Sequence, residues 1–133
     1  EVDPYNLVSA LNGVVAQRLI RTLCPACAQP AKPSAEDLGH ADIDLSASAD
    51  WTFRRSVGCG SCRGTGYRGR KAIAELLVLN DEIRELIISR APIRQLKEAA
   101  RRNGTRSLRE SALDLVRDGI TSLEEANRVT FVA

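Results

Sequence analysis

Cys24-Pro-Ala-Cys27 and Cys59-Gly-Ser-Cys62 are two Cys-x-x-Cys pairs separated by 31 residues that contain no further cysteine. Each pair places two sulfurs on one side of a tight turn, called a knuckle below. Two knuckles face to face supply four thiolates in the tetrahedral arrangement that Zn²⁺ accepts without distortion, with Zn–S distances near ~2.3 Å. The spacing therefore predicts a zinc site made by Cys24, Cys27, Cys59 and Cys62. Four sulfurs leave no open coordination position, so the metal would stabilise the fold rather than catalyse a reaction.

Two other uses of paired cysteines fit this sequence less well. Two disulfides would suit a secreted domain, but the chain opens Glu1-Val2-Asp3-Pro4 and shows no apolar leader. A redox site needs one Cys-x-x-Cys at the start of a helix and no second pair. Reduced cysteines and the missing leader predict a cytoplasmic location.

The length of 133 residues and the 44% hydrophobic content fit one compact domain with room for one small satellite. The formal charge of +2 gives no global sign of a nucleic-acid binder, and no apolar run reaches the length that spans a bilayer. Residue 1 is not Met and the first residues resemble a helix entered part-way, so we expect a fragment of a longer protein.

The knuckles lie between two predicted strands. Upstream, apolar residues recur at three- and four-residue steps from Pro4 to Leu19, which predicts a helix with a buried stripe. Arg18–Leu23 then approaches the alternation of a half-buried strand. Tyr67–Leu79 predicts a second strand beside the first, so the cysteine loop would be an insertion between neighbouring strands.

The loop between the knuckles is acidic. It carries five acidic residues and no Lys or Arg from Ala35 to Phe53. So polar a segment buries little, and we expect the metal to hold its two ends together. The apolar residues within it are predicted to form a small lid over the zinc; they are Leu38, Ile43, Leu45 and Trp51. His40, the only histidine, is interpreted as an exposed loop residue because four thiolates already complete the site.

The charge reverses after Asp50, with no acidic residue before Glu75. The cations of this stretch are Arg54, Arg55, Arg63, Arg68, Arg70 and Lys71. They would offset the net −2 of four thiolates and one Zn²⁺. Alternatively, Arg54, Arg55 and Arg63 form a docking face for an acidic partner or phosphate. The glycines here do not form a phosphate-binding P-loop, because no Gly in this chain is followed by Lys.

Four short helices are predicted after Leu79, with starts at Asn80, Pro92, Ser107 and Thr121, and with tight links that favour a small bundle. The expected fold class is therefore α+β and mostly α.

Ordered motifs across nearly the whole chain resemble the C-terminal part of the type II secretion and type IV pilus assembly ATPases, the GspE/PilB class. They are Leu11-Asn-Gly-Val-Val-Ala-Gln17-Arg-Leu-Ile-Arg21-Thr-Leu-Cys24-Pro-x-Cys27, Gly58-Cys-x-x-Cys62-Arg-Gly-Thr-Gly-Tyr67-Arg-Gly-Arg70, Glu75-Leu-Leu, Arg106-Ser-Leu-Arg-Glu110, Gly119-Ile-Thr-Ser-Leu-Glu-Glu125 and Arg128-Val-Thr130.

The resemblance implies a cytoplasmic homo-hexameric motor, attached peripherally to the inner membrane through secretion or pilus platform components. Such a motor hydrolyses ATP with Mg²⁺ to drive protein secretion or pilin polymerisation. It also implies three parts: helix and strand from the end of a RecA-like core in residues 1–23, a zinc-binding tetracysteine subdomain in 24–66, and a strand plus helical subdomain in 67–133. Walker A and Walker B sequences are lacking here, so we expect no catalysis by the chain alone.

Two other classes stay open. Cys59-Gly-Ser-Cys62-Arg-Gly-Thr-Gly66 also fits the zinc-binding repeat of DnaJ-type cochaperones, which bind unfolded proteins, but the first knuckle lacks the glycines. A zinc ribbon that binds nucleic acid is disfavoured because aromatic residues are few near the cations. No nucleic-acid partner is expected.

Overall fold

A computed structural model of the chain describes residues 2–130, which combine six α-helices with short β-sheets. In chain order the elements are α1 (Pro4–Ala10), β1 (Gly13–Leu23), β2 (Gln29–Pro30), α2 (Ala35–His40), β3 (Arg54–Arg55), a 3-10 turn (Gly60–Cys62), β4 (Tyr67–Val78), α3 (Asp81–Ile88), α4 (Ile93–Arg102), α5 (Leu108–Arg117) and α6 (Leu123–Thr130). No helix among these residues is long and apolar enough to cross a membrane.

The first helix is much shorter than its apolar periodicity predicts. It ends at Ala10, and β1 begins at Gly13, so the prediction of a helix from Pro4 to Leu19 is wrong. A side chain at Gly13 would lie 3.2 Å from the carbonyl oxygen of Leu77, so the backbones approach closely there. Val14 and Val15, read as part of a buried stripe, lie on β1 and are 47% and 61% exposed.

The strands β1 and β4 are hydrogen-bonded neighbours in a two-stranded sheet. Gly13 lies against Leu77 near one end, and the Thr22 hydroxyl donates to the Arg68 carbonyl at 2.6 Å near the other, so the strands run in opposite directions. The predicted insertion of the cysteine loop between two neighbouring strands is confirmed.

The contacts divide the chain into two compact units. The first consists of Glu1–Gln17 and Ala74–Ser107, and its core forms from α1, α3, α4 and the residues around them. Its buried side chains are Leu79, Ile83, Ala99 and Ala100. Asn80 caps α3 as predicted, because its Oδ1 accepts a hydrogen bond from the Ile83 amide at 3.0 Å.

The second unit consists of Arg18–Ile73 and Leu108–Ala133. Its main core packs α5 and α6 against the strands through six buried residues, namely Ile20, Ile73, Ala112, Val116, Ala126 and Val129. The predicted helices after Leu79 are therefore present but do not form one bundle, since α3 and α4 belong to one unit and α5 and α6 to the other. The proposed division at 1–23, 24–66 and 67–133 stays a prediction.

Residues 35–53, called the acidic lobe below, have an apolar core of their own. Leu38 and Ile43 are buried and pack with Trp51 against Leu113 of α5 and Leu123 of α6. The prediction of a lid over the metal is therefore corrected: these residues attach the lobe to α5 and α6. Leu45, the fourth residue expected in that lid, is exposed.

Candidate metal centre

The sulfurs of Cys24, Cys27, Cys59 and Cys62 all lie within 4.8 Å of one another. Cys24 and Cys59 are 3.9 Å apart at Sγ, as are Cys27 and Cys62, and the Cys59 and Cys62 sulfurs are 3.8 Å apart. A tetrahedron with metal–sulfur bonds of ~2.3 Å has edges of about 3.8 Å. A disulfide would need about 2.05 Å, so all four cysteines are free. The donor set and its spacing fit a four-sulfur Zn²⁺ site.

The first knuckle is anchored through the backbone at the end of β1. The Leu23 amide donates to the Ile120 carbonyl at 2.8 Å, and the Cys24 amide donates to the Gly66 carbonyl at 2.9 Å. The second contact joins the first knuckle to Gly66, whose own amide donates to Cys62 Sγ of the second knuckle. The Ala28 amide then closes the turn on the Cys24 carbonyl at 2.9 Å.

The second knuckle is a 3-10 turn, and backbone amides in and around it donate hydrogen bonds to the sulfurs. The amides of Cys59 and Gly66 donate to Cys62 Sγ at 3.1 and 3.2 Å, and the Gly58 amide donates to Cys27 Sγ at 3.3 Å. Such donors stabilise the negative charge of a thiolate without adding a charged side chain. The turn geometry therefore prepares the sulfurs to act as metal ligands.

The thiols do not all favour the ionised form in the absence of a cation. Burial acts to raise the pKa of Cys62, but the amides of Cys59 and Gly66 outweigh it and lower that pKa to about 6. The Gly58 amide acts to lower the pKa of Cys27, but burial and the neighbouring thiols outweigh it and raise that pKa to about 11. Four thiolates at these distances need a divalent cation to offset their mutual repulsion.

Gly66 offers a test of how closely the two chain segments that flank the second knuckle must pack. Gly64 and Gly66 share a φ of +78°, but a Cβ at Gly66 would lie 2.5 Å from Ser56 Cβ, whereas a Cβ at Gly64 meets open space. Both alanine variants carry the strain of positive φ, about 1–2 kcal/mol. We expect Gly66→Ala to lower the unfolding free energy by about 1–3 kcal/mol more than Gly64→Ala, because only it overpacks the turn. Denaturant unfolding of the metal-loaded variants measures the difference, and equal stabilities would contradict the close packing.

The metal is not the only link between the ends of the acidic loop. β2 and β3 pair antiparallel, with Gln29 opposite Arg55 and Pro30 opposite Arg54. The Ala31 amide also donates to the Phe53 carbonyl at 2.9 Å. The sequence led us to expect that the metal holds the two loop ends together, and the pairing of β2 with β3 is a second link between them.

The three predicted docking arginines differ in their surroundings. Arg54 is half-buried and donates to the Ala28 carbonyl at 2.9 Å, which makes it part of the loop closure. Arg55 is exposed and donates to Gln29 Oε1 at 2.7 Å. Arg63 is exposed at the end of the 3-10 turn. His40 is exposed as predicted, although it ends α2 rather than lying in a loop, and the cysteine cluster does not include it.

Glu125 binds β1 at Arg21, close to the first knuckle, and the sequence analysis missed it. Its side chain is fully buried, and its carboxylate accepts from both Arg21 (2.7 Å) and Arg128 (2.6 Å), with the Arg21 amide as a further donor at 3.1 Å. Burial acts to raise the pKa of Glu125, but the two arginines outweigh it and lower that pKa to about 2. A glutamate in the first turn of a helix is usually exposed to solvent, and no local sequence pattern distinguishes Glu125 from its exposed neighbour Glu124.

Arg21 also links this ion pair to β4. Its guanidinium lies 4.2 Å from the ring centroid of Tyr67, and the Tyr67 hydroxyl is 2.6 Å from Ser122 Oγ at the start of α6. β1, β4 and α6 therefore meet around Glu125, and its partner Arg21 lies three residues before Cys24, the first proposed metal ligand.

Comparison with known proteins identifies the family. The family model described as "Type II/IV secretion system protein" matches residues 1–128. The chain is 44% identical to the type II secretion system ATPase E of Vibrio cholerae over 97% of this chain and 25% of that protein. It is 43% identical to the type IV pilus assembly ATPase PilB of Thermus thermophilus over 93% of this chain and 14% of that protein, and 40% identical to the type II secretion system protein E of Pseudomonas aeruginosa over 97% and 25%. The chain thus spans a quarter or less of the length of these relatives. It belongs to the type II/IV secretion system protein family.

Proposed function

We propose that this chain is the metal-binding and helical part of a secretion or pilus-assembly ATPase, and that its four cysteines hold a structural Zn²⁺. The observation that carries the proposal is the cluster of four sulfurs within 4.8 Å of one another, in a chain that the family model matches along residues 1–128. That match includes both knuckles, which favours this function over a chaperone repeat or a nucleic-acid-binding ribbon.

The bound metal would supply charge neutralisation and a rigid link between the knuckles. Cys24 and Cys27 would hold it from the end of β1, and Cys59 and Cys62 from the 3-10 turn before β4. Since all four positions are sulfur, no position is left for water or substrate. The role is therefore structural.

The ribbon of β1 and β4 is proposed to belong to the RecA-like core of the parent protein. Two-stranded sheets are marginal in water by themselves. In the first unit, Val14 and Val15 of β1 and Leu76 and Val78 of β4 are between 47% and 61% exposed. Apolar side chains exposed together on a short ribbon favour cover by further protein.

The activity of the parent protein is proposed from its relatives. Two of them are described as ATPases of secretion or pilus assembly. ATP and Mg²⁺ would bind elsewhere in the parent, as no Gly in this chain is followed by Lys. The parent is proposed to act as a cytoplasmic homo-hexamer, held at the inner membrane by platform components. Arg55 and Arg63, both exposed, are the better candidates for docking those components, because Arg54 closes the loop.

The experiment separates ATP turnover from docking. We expect no ATP turnover by this chain alone, and turnover by the longer parent. In the parent, the pair Arg55→Glu and Arg63→Glu should keep ATP turnover and lower secretion or pilus assembly about tenfold, because only docking is weakened. The pair Arg84→Glu and Arg90→Glu, with the same charge change in the other unit, is the control. Turnover by the isolated chain, or export unaffected by the Arg55 and Arg63 pair, would refute the respective part.

A further inference from the structure

The exposed face of α4 carries a row of cations. Arg94, Lys97 and Arg101 are spaced by three and four residues, which places them on one side of the helix. The side chain of Arg94 is 85% exposed and contacts Glu98 only at 3.7 Å, while Lys97 and Arg101 form no ion pair within residues 2–130. We call these three residues the cationic stripe.

An exposed apolar side chain accompanies the stripe. Ile93 opens α4, lies four residues before Lys97 and is 69% exposed, whereas the buried side of the helix is made by Ala99, Ala100 and the half-buried Leu96. A large apolar residue beside exposed cations is typical of a contact surface with a polar rim.

The acidic lobe has the opposite character. Its five acidic residues are all exposed; they are Glu36, Asp37, Asp42, Asp44 and Asp50. Asp42 is attracted electrostatically to Arg109 of α5. Glu36, Asp44 and Asp50 form no ion pair within the part of the chain that the structure describes. Leu45, next to Asp44, is 62% exposed. The lobe therefore also presents one apolar side chain surrounded by charge, with the sign reversed.

We propose that the acidic lobe of one copy of this chain docks on the cationic stripe of a second copy. The charges are complementary, and Leu45 and Ile93 supply an apolar centre for the contact. The two surfaces differ, so a contact between two copies leaves one lobe and one stripe free. Further copies can then add at these free surfaces until the assembly closes into a ring.

A second copy of the chain matches both surfaces better than a purely anionic partner does. A lipid surface or a nucleic acid would attract the stripe but repel the lobe, whereas a second copy uses both surfaces in equal number. This proposal rests on the function proposed above and deepens it, because it assigns the contact between copies of the proposed homo-oligomer to two named surfaces. The metal-loaded protein is the right material, because the lobe lies between the two knuckles.

The test is sedimentation equilibrium of the zinc-loaded chain over a concentration series. One variant carries Arg94→Glu and Lys97→Glu, and the other carries Glu36→Lys and Asp50→Lys, which avoids the acidic residues that bond to Ser34 and Ser46. We expect wild-type chain to associate, and each variant alone to associate at least about tenfold more weakly, because like charges then face each other. An equimolar mixture of the two variants should regain association, since each reversed surface then meets its complement.

The control variant carries Arg68→Glu and Arg70→Glu, exposed cations of β4 with the same charge change, and it should associate like wild type. Wild-type association should weaken as salt is raised from about 0.05 M to about 0.5 M. Wild-type chain that stays monomeric at low salt, or a mixture that does not regain association, would overturn the proposal. So would binding of the stripe to anionic vesicles without any self-association, which would assign it to a lipid surface.

Discussion

Replacing Cys62 with serine is expected to lower zinc affinity by about two to three orders of magnitude and to release both knuckles while the acidic lobe keeps its place. Structural zinc binding is worth about 10–16 kcal/mol, so an equal share per ligand is about 2.5–4 kcal/mol. Cys62 is buried and accepts two backbone N–H bonds, so the loss extends to the turn that depends on it.

The lobe should survive because other contacts hold it. Leu38 and Ile43 pack with Leu113 and Leu123, which belong to the helices α5 and α6. Two further bonds reach the same region: the Thr52 amide donates to the Arg117 carbonyl at 2.9 Å, and Arg109 donates to the Ala41 carbonyl at 3.0 Å. None of these contacts involves a sulfur.

Competition for zinc with a chromophoric chelator measures the affinity, and amide hydrogen exchange locates the disorder. We expect faster exchange at residues 24–28 and 56–66 and unchanged exchange at residues 38–43. Ser61→Ala is the matched control, since Ser61 is the exposed neighbour of Cys62 in the same turn. Loss of protection across the whole of residues 24–66 would instead show that the metal alone orders the loop.

The metal centre was predictable because cysteine spacing is a local signal that needs no knowledge of the fold. Two tight turns with two sulfurs each can meet in few ways, and the sulfurs of Cys24 and Cys59 do meet at 3.9 Å. The strands beside the knuckles were predicted separately, from the apolar patterns of Arg18–Leu23 and Tyr67–Leu79, and β1 and β4 are neighbours in the structure.

The error at the N-terminus has a physical cause. Apolar residues at three- and four-residue steps describe a helix only if that face is buried, but Val14, Val15 and Leu19 are exposed on β1. Three- and four-residue steps between apolar residues do not by themselves show that those residues are buried. Burial could not be inferred, so β-branched Val14 and Val15 after Asn12-Gly13 were the better signal.

The acidic lobe and Glu125 show where local reasoning stops. The lobe seemed too polar to pack, yet three buried residues attach it to helices some 70 residues later in the chain. Glu125 pairs with Arg21 across 104 residues. Both depend on the long-range arrangement of β1, α5 and α6, which no spacing within one segment reveals.

Replacing Glu125 with glutamine is expected to lower the unfolding free energy by about 3 kcal/mol near neutral pH. The pKa of Glu125 falls from an ordinary 4.5 to about 2, and a shift of that size corresponds to about 3 kcal/mol. Glutamine keeps the shape but loses the charge, which leaves Arg21 and Arg128 without a carboxylate. Both arginines are partly exposed, so water can solvate their charges once the carboxylate is gone. The loss of unfolding free energy therefore stays near the lower end of the range for breaking a buried ion pair.

The pH dependence distinguishes this ion pair from simple packing. Because the folded pKa lies below the unfolded one, the carboxylate contributes its full stability above pH 4.5 and loses it as the pH falls toward 2. The stability difference between wild type and Glu125→Gln should therefore shrink across this interval. Acid releases thiol-bound metal from both proteins alike, so the difference isolates Glu125. Denaturant unfolding at several pH values measures it, with Glu124→Gln, the exposed neighbour, expected to change little. A difference that stays constant from pH 6 to 2 would mean that Glu125 acts through its shape and not its charge.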